Sequence, residues 1–561
     1  MGTPTATIRP KLQSLNPATG ELFAEFDPAS DADVKAAVAR AQQAAPAWRA
    51  LGVHDRARYL LRLKDVLYDR RNEIAALITR EAGKPLVESL VAEVLVALDT
   101  LDYFARHAAA FLAPQDVPHH NLAVRLKRGR LEYEPYGVIG IISPSNYPLS
   151  IPIGEMAPAL VAGNTVVLKP SEFTPQIGLA IGELLEAAEL PPGVATVILG
   201  DGTTGRALVS AGIDKLIFTG SVPTGKRIQA AAAERLLPTV LELGGKDPMI
   251  VCADADLNLA SSGAVWGAFT NAGQACLSVE RCYVVRSVAE KFTRLCMEKA
   301  KQLRVGPGDD PSTDVGPLIR ERQVRIVEEH VADAVAQGAV VLCGGRRPAA
   351  GGQGSGVGGQ GTATIGEASP TPNSELRPAL SLSPVPRPPS PGFFYEPTVL
   401  AGVHHGMRIM REETFGPVLP IMAVDDEAQA VALANDSEFG LSASVWTRDL
   451  ARGERLARQI QAGAVMVNDC ISYFGVCEAP HGGVKASGIG RSHSRLGLME
   501  MVRVKYIDVD LVPKLPKLWW FRYDGMVRPM QGFVEFLFAG GVRRRVWGLA
   551  SALAGLGKRR V

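Results

Sequence analysis

The chain has 561 residues, which is too long for one hydrophobic core and predicts two or three domains. Hydrophobic residues make up 47% and charged residues 21% of the sequence, and a formal net charge of +2 excludes the basic composition of a nucleic-acid-binding protein. The seven cysteines form no CxxC pair or zinc pattern, and residues 1–20 contain no long apolar run, so we expect a cytoplasmic protein without a metal site or secretory signal.

The first predicted elements are helices over residues 31–112. Ser30 or Asp31 can cap the alanine-rich run that follows, in which apolar residues recur three and four positions apart. Two more stretches of helical periodicity cover residues 54–80 and 86–112. The chain therefore begins with a helical region.

From about residue 137 the pattern changes to short apolar runs separated by helical stretches, which is typical of βαβ units and a buried parallel sheet. The runs are GVIGIIS (137–143), TVVLKP (165–170), ATVILG (195–200), KLIFTGS (215–221) and PTVLELGG (238–245). Ligands bind beyond the carboxyl ends of such strands, so the polar residues that end these runs mark a candidate site. A purely structural α/β domain is the alternative.

Two later segments differ in composition from the mixed α/β pattern of residues 246–345. Residues 346–391 are rich in Gly, Pro, Ser and Ala, and we interpret them as a disordered surface insertion, with a functional linker as the alternative. Residues 511–561 combine short apolar runs with basic clusters, but no run is long enough to span a bilayer. This tail fits an amphipathic segment on a membrane surface, or a tail packed on the protein's own core or on a second subunit.

Two glycine-containing turns are candidates for phosphate binding. GDGTTG (200–205) matches GxGxxG, but no acidic residue ends a strand about twenty positions later, so we interpret it as a tight strand-to-helix turn. In FTGSVPTG (218–225) a strand ends and a helix begins, and the free N–H groups of that first turn suit a phosphate. A capped helix start without a ligand is the alternative.

Cys276, within NAGQACLSVE (271–280), lies among small and amide residues. A cysteine that attacks a carbonyl needs donors for the oxyanion and a general base for the attacking water. The backbone N–H of Cys276 and the amide of Asn146 are candidate donors, and Glu242 is a candidate base. Each also has a structural interpretation: a buried thiol, a turn residue and an ion-paired carboxylate.

The motifs ELGGKDP (242–248) and NAGQACLSVERC (271–282) resemble those of the aldehyde dehydrogenase superfamily. SPSNYP, AGNTVVLKPSE, FTGSVPTG, EETFGP and HGGVKASGIGR resemble it too, in the family's order and over about residues 14–508. Within the superfamily, the stretches around Cys276 and Glu242 look closest to succinate-semialdehyde dehydrogenases.

The resemblance implies a fold and a division of the chain. The fold is α/β, with a Rossmann-type NAD-binding domain, an α/β catalytic domain and a small β oligomerisation flap. The implied boundaries are 1–124 with 137–243 for the NAD-binding domain, 244–499 for the catalytic domain with the 346–391 insertion, 125–136 with 500–510 for the flap and its strand, and 511–561 for the tail. A homodimer or homotetramer follows from the family.

The resemblance also implies residue roles. Cys276 matches the nucleophile, Glu242 the base and Asn146 the oxyanion donor. The cofactor contacts implied are Lys169 and Glu172 at the adenosine ribose, Gly220, Ser221, Thr224 and Gly225 at the pyrophosphate side, and Glu413 and Phe415 at the nicotinamide ribose. One departure is Ser145, because the family usually has Trp before the oxyanion Asn.

The implied reaction is oxidation of an aldehyde to a carboxylic acid through a cysteine thiohemiacetal and thioester, with Glu242 activating the hydrolytic water. Glu172 favours NAD⁺ because a carboxylate repels a 2′-phosphate, and the adjacent Lys169 leaves NADP⁺ as the alternative. For the substrate, succinate semialdehyde would require a tunnel cation such as Arg281, whereas a long-chain aldehyde would suit an enzyme at a membrane surface. A non-catalytic binding module is a remote alternative, because Cys276, Glu242 and Asn146 are all present.

Overall fold

The computed structural model describes residues 9–349, 392–514, 517, 520 and 523–556. The predicted disordered insertion lies outside the described residues from position 350 onward. Within the described part of the chain, one compact unit comprises the residues up to Phe111 together with Pro135–Val502. A second unit comprises Leu112–Glu134 and the residues from Arg503 on.

The elements up to residue 135 are β1 (Leu12–Leu15), β2 (Leu22–Phe26), α1 (Asp31–Ala50), α2 (Val53–Asp69), α3 (Arg71–Ala82), α4 (Leu86–Glu88), a π-helical turn (Ser89–Leu95), α5 (Val96–Phe111), β3 (Gln115–Val117) and β4 (Lys127–Pro135). Those of residues 138–251 are β5 (Val138–Ile142), α6 (Ser150–Val161), β6 (Thr165–Lys169), α7 (Pro175–Ala187), β7 (Ala195–Val197), α8 (Gly202–Ser210), β8 (Lys215–Thr219), α9 (Val222–Ala233), β9 (Thr239–Glu242) and β10 (Asp247–Val251).

Those of residues 257–467 are α10 (Leu257–Phe269), β11 (Val279–Val285), α11 (Arg286–Ala300), α12 (Glu321–Ala336), β12 (Val340–Cys343), β13 (Thr398–Ala401), α13 (Arg408–Arg411), β14 (Val418–Val424), α14 (Glu427–Asn435), β15 (Ser442–Trp446), α15 (Leu450–Ala457) and β16 (Ala464–Val467). The last elements are β17 (Gly488–Ile489), α16 (Ser494–Met499), β18 (Val502–Asp510), α17 (Val527–Phe538) and α18 (Val542–Leu556).

The helical start of the chain follows its local sequence signals. Ser30 is the N-cap of α1, and its side chain and that of Asp33 form a reciprocal capping box. The periodic stretch 54–80 is two helices rather than one, because the chain leaves helical geometry at Arg70, which ends α2 and precedes α3. The preceding hairpin β1–β2 was not predicted.

Two large sheets lie in the first unit. The six-stranded sheet has the order β17-β9-β8-β5-β6-β7, and its strands are parallel except β17. Every residue of β5 and β6 is buried, as expected for strands with helices on both faces. The seven-stranded sheet has the order β12-β13-β14-β11-β10-β15-β16, with only β12 antiparallel. The predicted α/β class with parallel sheets is confirmed.

The proposed division into NAD-binding and catalytic domains stays a prediction. The parallel strands of the six-stranded sheet come from 138–242 and those of the other sheet from 247–467, in agreement with a boundary near residue 243. However, Gly488 and Ile489 of β17 pair with Glu242 and Leu241 of β9. A segment assigned to the catalytic domain therefore completes the other sheet.

The second unit contains a three-stranded sheet of order β18-β4-β3 and a hairpin of two helices, α17 and α18. The two helices approach closely at Gly532 and Gly548, where a Cβ on either glycine would lie 2.6 Å from the other's carbonyl oxygen. Large apolar side chains remain exposed on both helices: Val527, Val534, Phe538, Val542, Val546, Trp547 and Leu553. Among the described residues, no helix has the length and apolarity needed to cross a membrane.

Candidate active site

A cavity of about 510 Å³ contains both the predicted nucleophile and the predicted base. Cys276 and Glu242 line it. Most of its wall is apolar, formed by Val91, Ala92, Leu95, Val96, Tyr147, Ile151, Leu243, Trp266, Ala275, Leu277, Ile471 and Phe474. Among the described residues that line the cavity, none is Lys or Arg.

Cys276 is held by a strained loop after α10. Asn271 and Ala272 have φ values of 51° and 54°, in the left-handed region that L-residues rarely adopt. At Gly273 φ is 72°, and a Cβ would lie 2.2 Å from the Gly416 carbonyl oxygen, so only glycine fits there. The small residues of NAGQAC therefore allow a turn that brings Cys276 to the cavity.

All seven cysteines are free thiols, and Cys276 is the one that lines the cavity. Burial raises the pKa of its thiol well above the usual range, and the acidic groups Asp247, Glu413 and Glu242 raise it further. The thiol is therefore protonated at neutral pH, so a base must remove its proton before it attacks a carbonyl.

Asn146 lies on the loop that follows β5 and joins the cysteine loop through its side chain. Its Nδ2 donates to the carbonyl oxygen of Gln274 at 3.0 Å, two residues before Cys276. An amide nitrogen carries two hydrogens, so this bond fixes the orientation of the amide and leaves a second donor. The preceding Ser145, where the family usually has Trp, is half-buried.

Glu242 ends β9 and is 4% exposed. Its Oε1 accepts a hydrogen bond from Ser492 Oγ at 3.3 Å, and its Oε2 lies 3.8 Å from His481 Nε2. Burial raises the pKa of Glu242 well above that of a free carboxyl group, and the nearby Glu155 raises it further. Such a carboxylate is a stronger base than one in water.

The sequence reasoning missed five further titratable residues of the cavity: Asp99, Tyr147, Glu155, His481 and His493. Burial raises the pKa of Glu155 to about 8, and its Oε1 accepts from Thr219 Oγ1 at 2.7 Å. Burial lowers the pKa of His481 to about 3 and that of His493 to about 4, so both imidazoles are neutral at pH 7. Glu155 had a visible signal, because it is the only charged residue of the wholly buried helix α6, SIPIGEMAPALV.

The predicted adenosine-ribose contacts lie together at the end of β6. Lys169 Nζ is 3.4 Å from Glu172 Oε2, and the lysine side chain is buried while the glutamate is about one third exposed. Burial lowers the pKa of Lys169, and the Glu172 carboxylate opposes this shift. Neither residue lines the Cys276 cavity.

The predicted pyrophosphate turn begins α9. Ser221 is the N-cap but makes no side-chain bond to the helix N–H groups; its hydroxyl donates to Thr224 Oγ1 at 3.1 Å instead. A Cβ at Gly220 would lie 2.6 Å from the Phe218 ring, and one at Gly225 would lie 2.6 Å from Leu243. These two glycines therefore have a packing reason of their own. No side chain caps the first turn of α9, although the N–H groups of Thr224 and Gly225 donate to the Ser221 carbonyl oxygen.

The predicted nicotinamide-side residues lie on the loop before β14. Glu413 Oε1 accepts from the backbone N–H of Gly245 at 3.1 Å, and burial raises the pKa of Glu413 to about 8. Phe415 has a φ of 51°, and its N–H donates to Glu280 Oε1 at 2.8 Å. Glu413 is one of the groups that raise the pKa of Cys276, so the two predicted site residues are electrostatic neighbours.

Two alternatives of the sequence analysis have a structural explanation. Arg281, a candidate tunnel cation, is fully buried and donates to the carbonyl oxygens of Lys246, Leu433 and Ala434 rather than lining the cavity. GDGTTG forms a capped turn, because the Asp201 side chain accepts from the N–H groups of Thr203 and Thr204.

The described residues hold one cluster that could ligate a metal, formed by Cys252, Asp254 and Glu427. Arg452 NH1 lies 3.3 Å from Asp254 and 3.1 Å from Glu427, so a guanidinium already offsets part of the negative charge of this cluster.

Comparison with known proteins identifies the family. A family model described as the aldehyde dehydrogenase family matches residues 5–362 and 379–507. The chain belongs to the aldehyde dehydrogenase family. The match breaks within the predicted insertion and otherwise covers both sheets, so the resemblance in the sequence motifs is confirmed.

Relatives of this aldehyde dehydrogenase are named for different aldehydes. It is 37% identical over 530 residues to the 4,4'-diapolycopene aldehyde oxidase of a Methylomonas species, with 94% of this chain and 91% of that protein covered. It is 36% identical over 507 residues to a Mycolicibacterium smegmatis protein provisionally named succinate-semialdehyde dehydrogenase (NADP(+)), with 89% of this chain and 90% of that protein covered.

Among solved structures, the aldehyde dehydrogenase of Bacillus cereus in its NAD⁺ complex superimposes with a TM-score of 0.79 at 31% identity, covering 90% of this chain and 94% of that one. This chain is therefore an NAD(P)-dependent enzyme that oxidises an aldehyde to a carboxylic acid, as predicted.

Proposed function

We propose that Cys276 is the nucleophile of this aldehyde dehydrogenase, with Asn146 as oxyanion donor and Glu242 as general base. The Cys276 thiol gives its proton to a water molecule, and Sγ bonds to the aldehyde carbon as the carbonyl double bond opens. The resulting negative oxygen accepts hydrogen bonds from Asn146 Nδ2 and the Cys276 backbone N–H, and loss of hydride re-forms the C=O bond as a thioester. Bound NAD(P)⁺ supplies the hydride acceptor. Glu242 then takes a proton from the water that hydrolyses the thioester. The observation that carries this proposal is the single cavity lined by Cys276 and Glu242.

The described residues fit a dinucleotide. The first turn of α9 has no side-chain cap and presents the positive end of the helix dipole to phosphate oxygens, and the Glu172 carboxylate is exposed enough to accept hydrogen bonds from ribose hydroxyls. Glu172 would repel a 2′-phosphate by like charge, so NAD⁺ is the preferred cofactor. Lys169 lies 3.4 Å away and partly offsets that charge, which allows some use of NADP⁺.

The substrate is an apolar aldehyde with an extended chain. The cavity wall offers no Lys or Arg among its described residues to pair with the carboxylate of succinate semialdehyde, and its acidic member Asp99 would repel that carboxylate. Val91, Leu95 and Trp266 line the cavity and yet are about half exposed, so an apolar surface continues from the cavity to solvent. A long apolar chain would cover these side chains and remove them from water.

Of the two relatives described above, the one named for the more apolar aldehyde supports this assignment. The 4,4'-diapolycopene aldehyde oxidase acts, by its name, on a polyene aldehyde, and its alignment with this chain covers about 527 residues. An alignment of that length must extend about 20 residues beyond position 507, where the family match ends. The two proteins therefore share part of the C-terminal tail as well as the catalytic core.

The test is the ratio of kcat/KM values, followed through NADH formation. The panel comprises saturated aldehydes of increasing length, a polyene aldehyde, an aldehyde with a quaternary ammonium group, and succinate semialdehyde, each with NAD⁺ and NADP⁺. We expect kcat/KM to rise by roughly threefold or more for each added pair of methylene groups until the cavity is filled. A maximum for succinate semialdehyde would contradict the substrate assignment.

The C-terminal hairpin is a membrane-surface contact in this proposal. Exposed Phe538, Val542, Val546 and Trp547 adjoin Arg543, Arg544 and Arg545, and aromatic and basic side chains together favour the interface of an anionic bilayer. Co-sedimentation with phosphatidylglycerol vesicles should fall at least tenfold when residues 523–561 are deleted, while the rate with a short aldehyde in solution is unchanged. Equal sedimentation of both forms would remove the membrane contact.

Assembly into a dimer or tetramer in the cytoplasm completes the proposal. β18 is an edge strand of nine residues, and its Val504, Tyr506 and Val509 are exposed. A long exposed edge strand is a template for pairing with another chain. Light scattering should give a multiple of the monomer mass, and a monomer would exclude this assembly.

A further inference from the structure

One short segment contacts both loops that carry the proposed catalytic residues. Gly83 ends α3 with a φ of 84°, and Lys84, Glu88 and Glu93 follow within ten residues. The last of these lies in the π-helical turn Ser89–Leu95. Such turns are rare and frequently occur at functional sites.

Lys84 and Glu93 hold the loop that carries Asn146. Lys84 Nζ donates to the backbone carbonyl oxygen of Asn146 at 2.7 Å and to Glu93 Oε1 at 2.6 Å, and both side chains are fully buried. The other oxygen of Glu93 accepts from the N–H groups of Leu149 and Ser150 at 3.1 and 2.9 Å. The ion pair therefore fixes both ends of the short segment 146–150.

Glu88 holds the loop that precedes Cys276. Its Oε1 accepts from Thr270 Oγ1 at 2.8 Å, and its Oε2 accepts from the N–H of Asn271 at 2.9 Å. Asn271 is the first of the two left-handed residues of that loop. A conformation of this kind persists only when surrounding bonds fix it, and Glu88 supplies them.

The two loops are also bonded to each other. Asn271 Nδ2 donates to the carbonyl oxygen of Asn146 at 3.0 Å, and Asn146 Nδ2 donates to that of Gln274 at 3.0 Å. The Asn146 carbonyl thus accepts from both Lys84 and Asn271. Movement of either loop would change the separation of the Asn146 amide and the Cys276 N–H.

We infer that Lys84, Glu88 and Glu93 are positioning residues that set the spacing of the oxyanion donors, by binding the Asn146 loop and the Cys276 loop to one rigid segment. The inference rests on the proposed roles of Asn146 and Cys276. A purely structural ion pair would stabilise the fold without acting on catalysis. Here the bonds go to the two loops on either side of the reacting carbonyl, which a merely structural pair has no reason to reach.

The test uses Lys84→Met and a closely matched control. Lys84 Nζ lies 2.6 Å from Glu93 and 4.1 Å from the ring centre of Tyr147. Lys215 is also a buried lysine, and its Nζ lies 2.8 Å from Glu500 and 4.9 Å from the ring centre of Tyr136. Lys215→Met therefore removes a similar ion pair that bonds to neither catalytic loop. We expect both variants to lower Tm, but only Lys84→Met to lower kcat, by about a hundredfold, with the Kd of NADH unchanged.

A double-mutant cycle with Asn146→Ala separates positioning from stability. If Lys84 acts through Asn146, then Lys84→Met changes kcat by less than about twofold in the Asn146→Ala background. The inference is overturned if the kcat of the double variant falls by the product of the two single-variant losses. It is also overturned if Lys84→Met folds and keeps the wild-type kcat. Should Lys84→Met not fold, Glu88→Ala tests the same inference on the Cys276 loop, because it removes the acceptor of both the Thr270 hydroxyl and the Asn271 N–H.

The proposed function fails in a different way. If Asn146→Ala alone retains full kcat, Asn146 is not the oxyanion donor, and the catalytic assignment is wrong before the positioning residues are considered. If Asn146→Ala is impaired and the cycle is additive, the catalytic assignment stands and only the positioning inference falls.

Discussion

Replacing Glu155 by Gln should move the pH dependence of kcat to lower pH. Only the carboxylate form of Glu242 accepts a proton, so kcat rises as the pH increases through the pKa of Glu242. Burial and the neighbouring Glu155 both raise that pKa. Removing the charge of Glu155 leaves Glu242 buried but abolishes the repulsion between the two carboxylates. The pKa of Glu242 therefore falls, and kcat rises at lower pH.

The size of the shift follows from the strand register. Glu155 accepts a hydrogen bond from Thr219, and Thr219 is the direct neighbour of Glu242 on the adjacent parallel strand. Strands lie about 4.8 Å apart, and we take a separation of roughly 6 Å for the two carboxyl groups. At an effective dielectric constant of about 20, their repulsion is about 2.8 kcal/mol, or about two pH units. Because Glu155 itself has a pKa of about 8 and shares protons with Glu242, we expect an observed shift of about one to two units.

The assay is kcat at saturating aldehyde and NAD⁺ across the pH range in which the protein stays folded. Glu81→Gln is the matched control: burial raises the pKa of Glu81 to about 7, and this carboxyl group does not line the cavity. Glu81→Gln should leave the pH dependence of kcat unchanged. A Glu155→Gln profile that coincides with the wild-type one, or moves to higher pH, would refute the electrostatic coupling of the two carboxyl groups.

Two further predictions concern the cofactor and the substrate. Glu172→Gln should raise kcat/KM for NADP⁺ by roughly tenfold and leave kcat/KM for NAD⁺ within about threefold, because the carboxylate repels only the 2′-phosphate. An unchanged ratio of the two kcat/KM values would show that Glu172 does not face the ribose. Leu95→Arg would place a cation on the apolar rim of the cavity, and it should raise kcat/KM for succinate semialdehyde by roughly tenfold and lower kcat/KM for a long-chain aldehyde. The control is Leu236→Arg at a solvent-exposed position. Equal effects of the two substitutions would contradict the assigned entry path.

The sequence predicted the fold where local pattern decides it. The runs around Val138 and Thr165 form the wholly buried parallel strands β5 and β6, and Ser30 caps the first helix as expected. The family motifs pointed to the α/β class, which the sheets confirm. The insertion from residue 350 onward lies outside the described residues, so its predicted disorder stays a prediction.

The sequence could not predict what depends on contacts between distant residues. The pairing of Gly488 with Glu242 joins positions about 250 residues apart, and nothing in the dipeptide Gly488–Ile489 indicates a strand. The buried ion pair of Lys84 and Glu93 has no sequence signal, because side chains nine residues apart do not share a face of an α-helix. The sequence also could not show that the described cavity wall contains no Lys or Arg. The candidate cation Arg281 binds backbone carbonyl oxygens elsewhere in the protein.

The most direct test of the catalytic assignment is peptide mass spectrometry of Glu242→Gln after reaction with NAD⁺ and an aldehyde. With the proposed base removed, the thioester should form but not hydrolyse, so an acyl adduct should accumulate on the peptide that contains Cys276 and be absent in the Cys276→Ser, Glu242→Gln double variant. An adduct on any of the other six cysteines, or wild-type turnover without a trapped adduct, would contradict the roles assigned to Cys276 and Glu242.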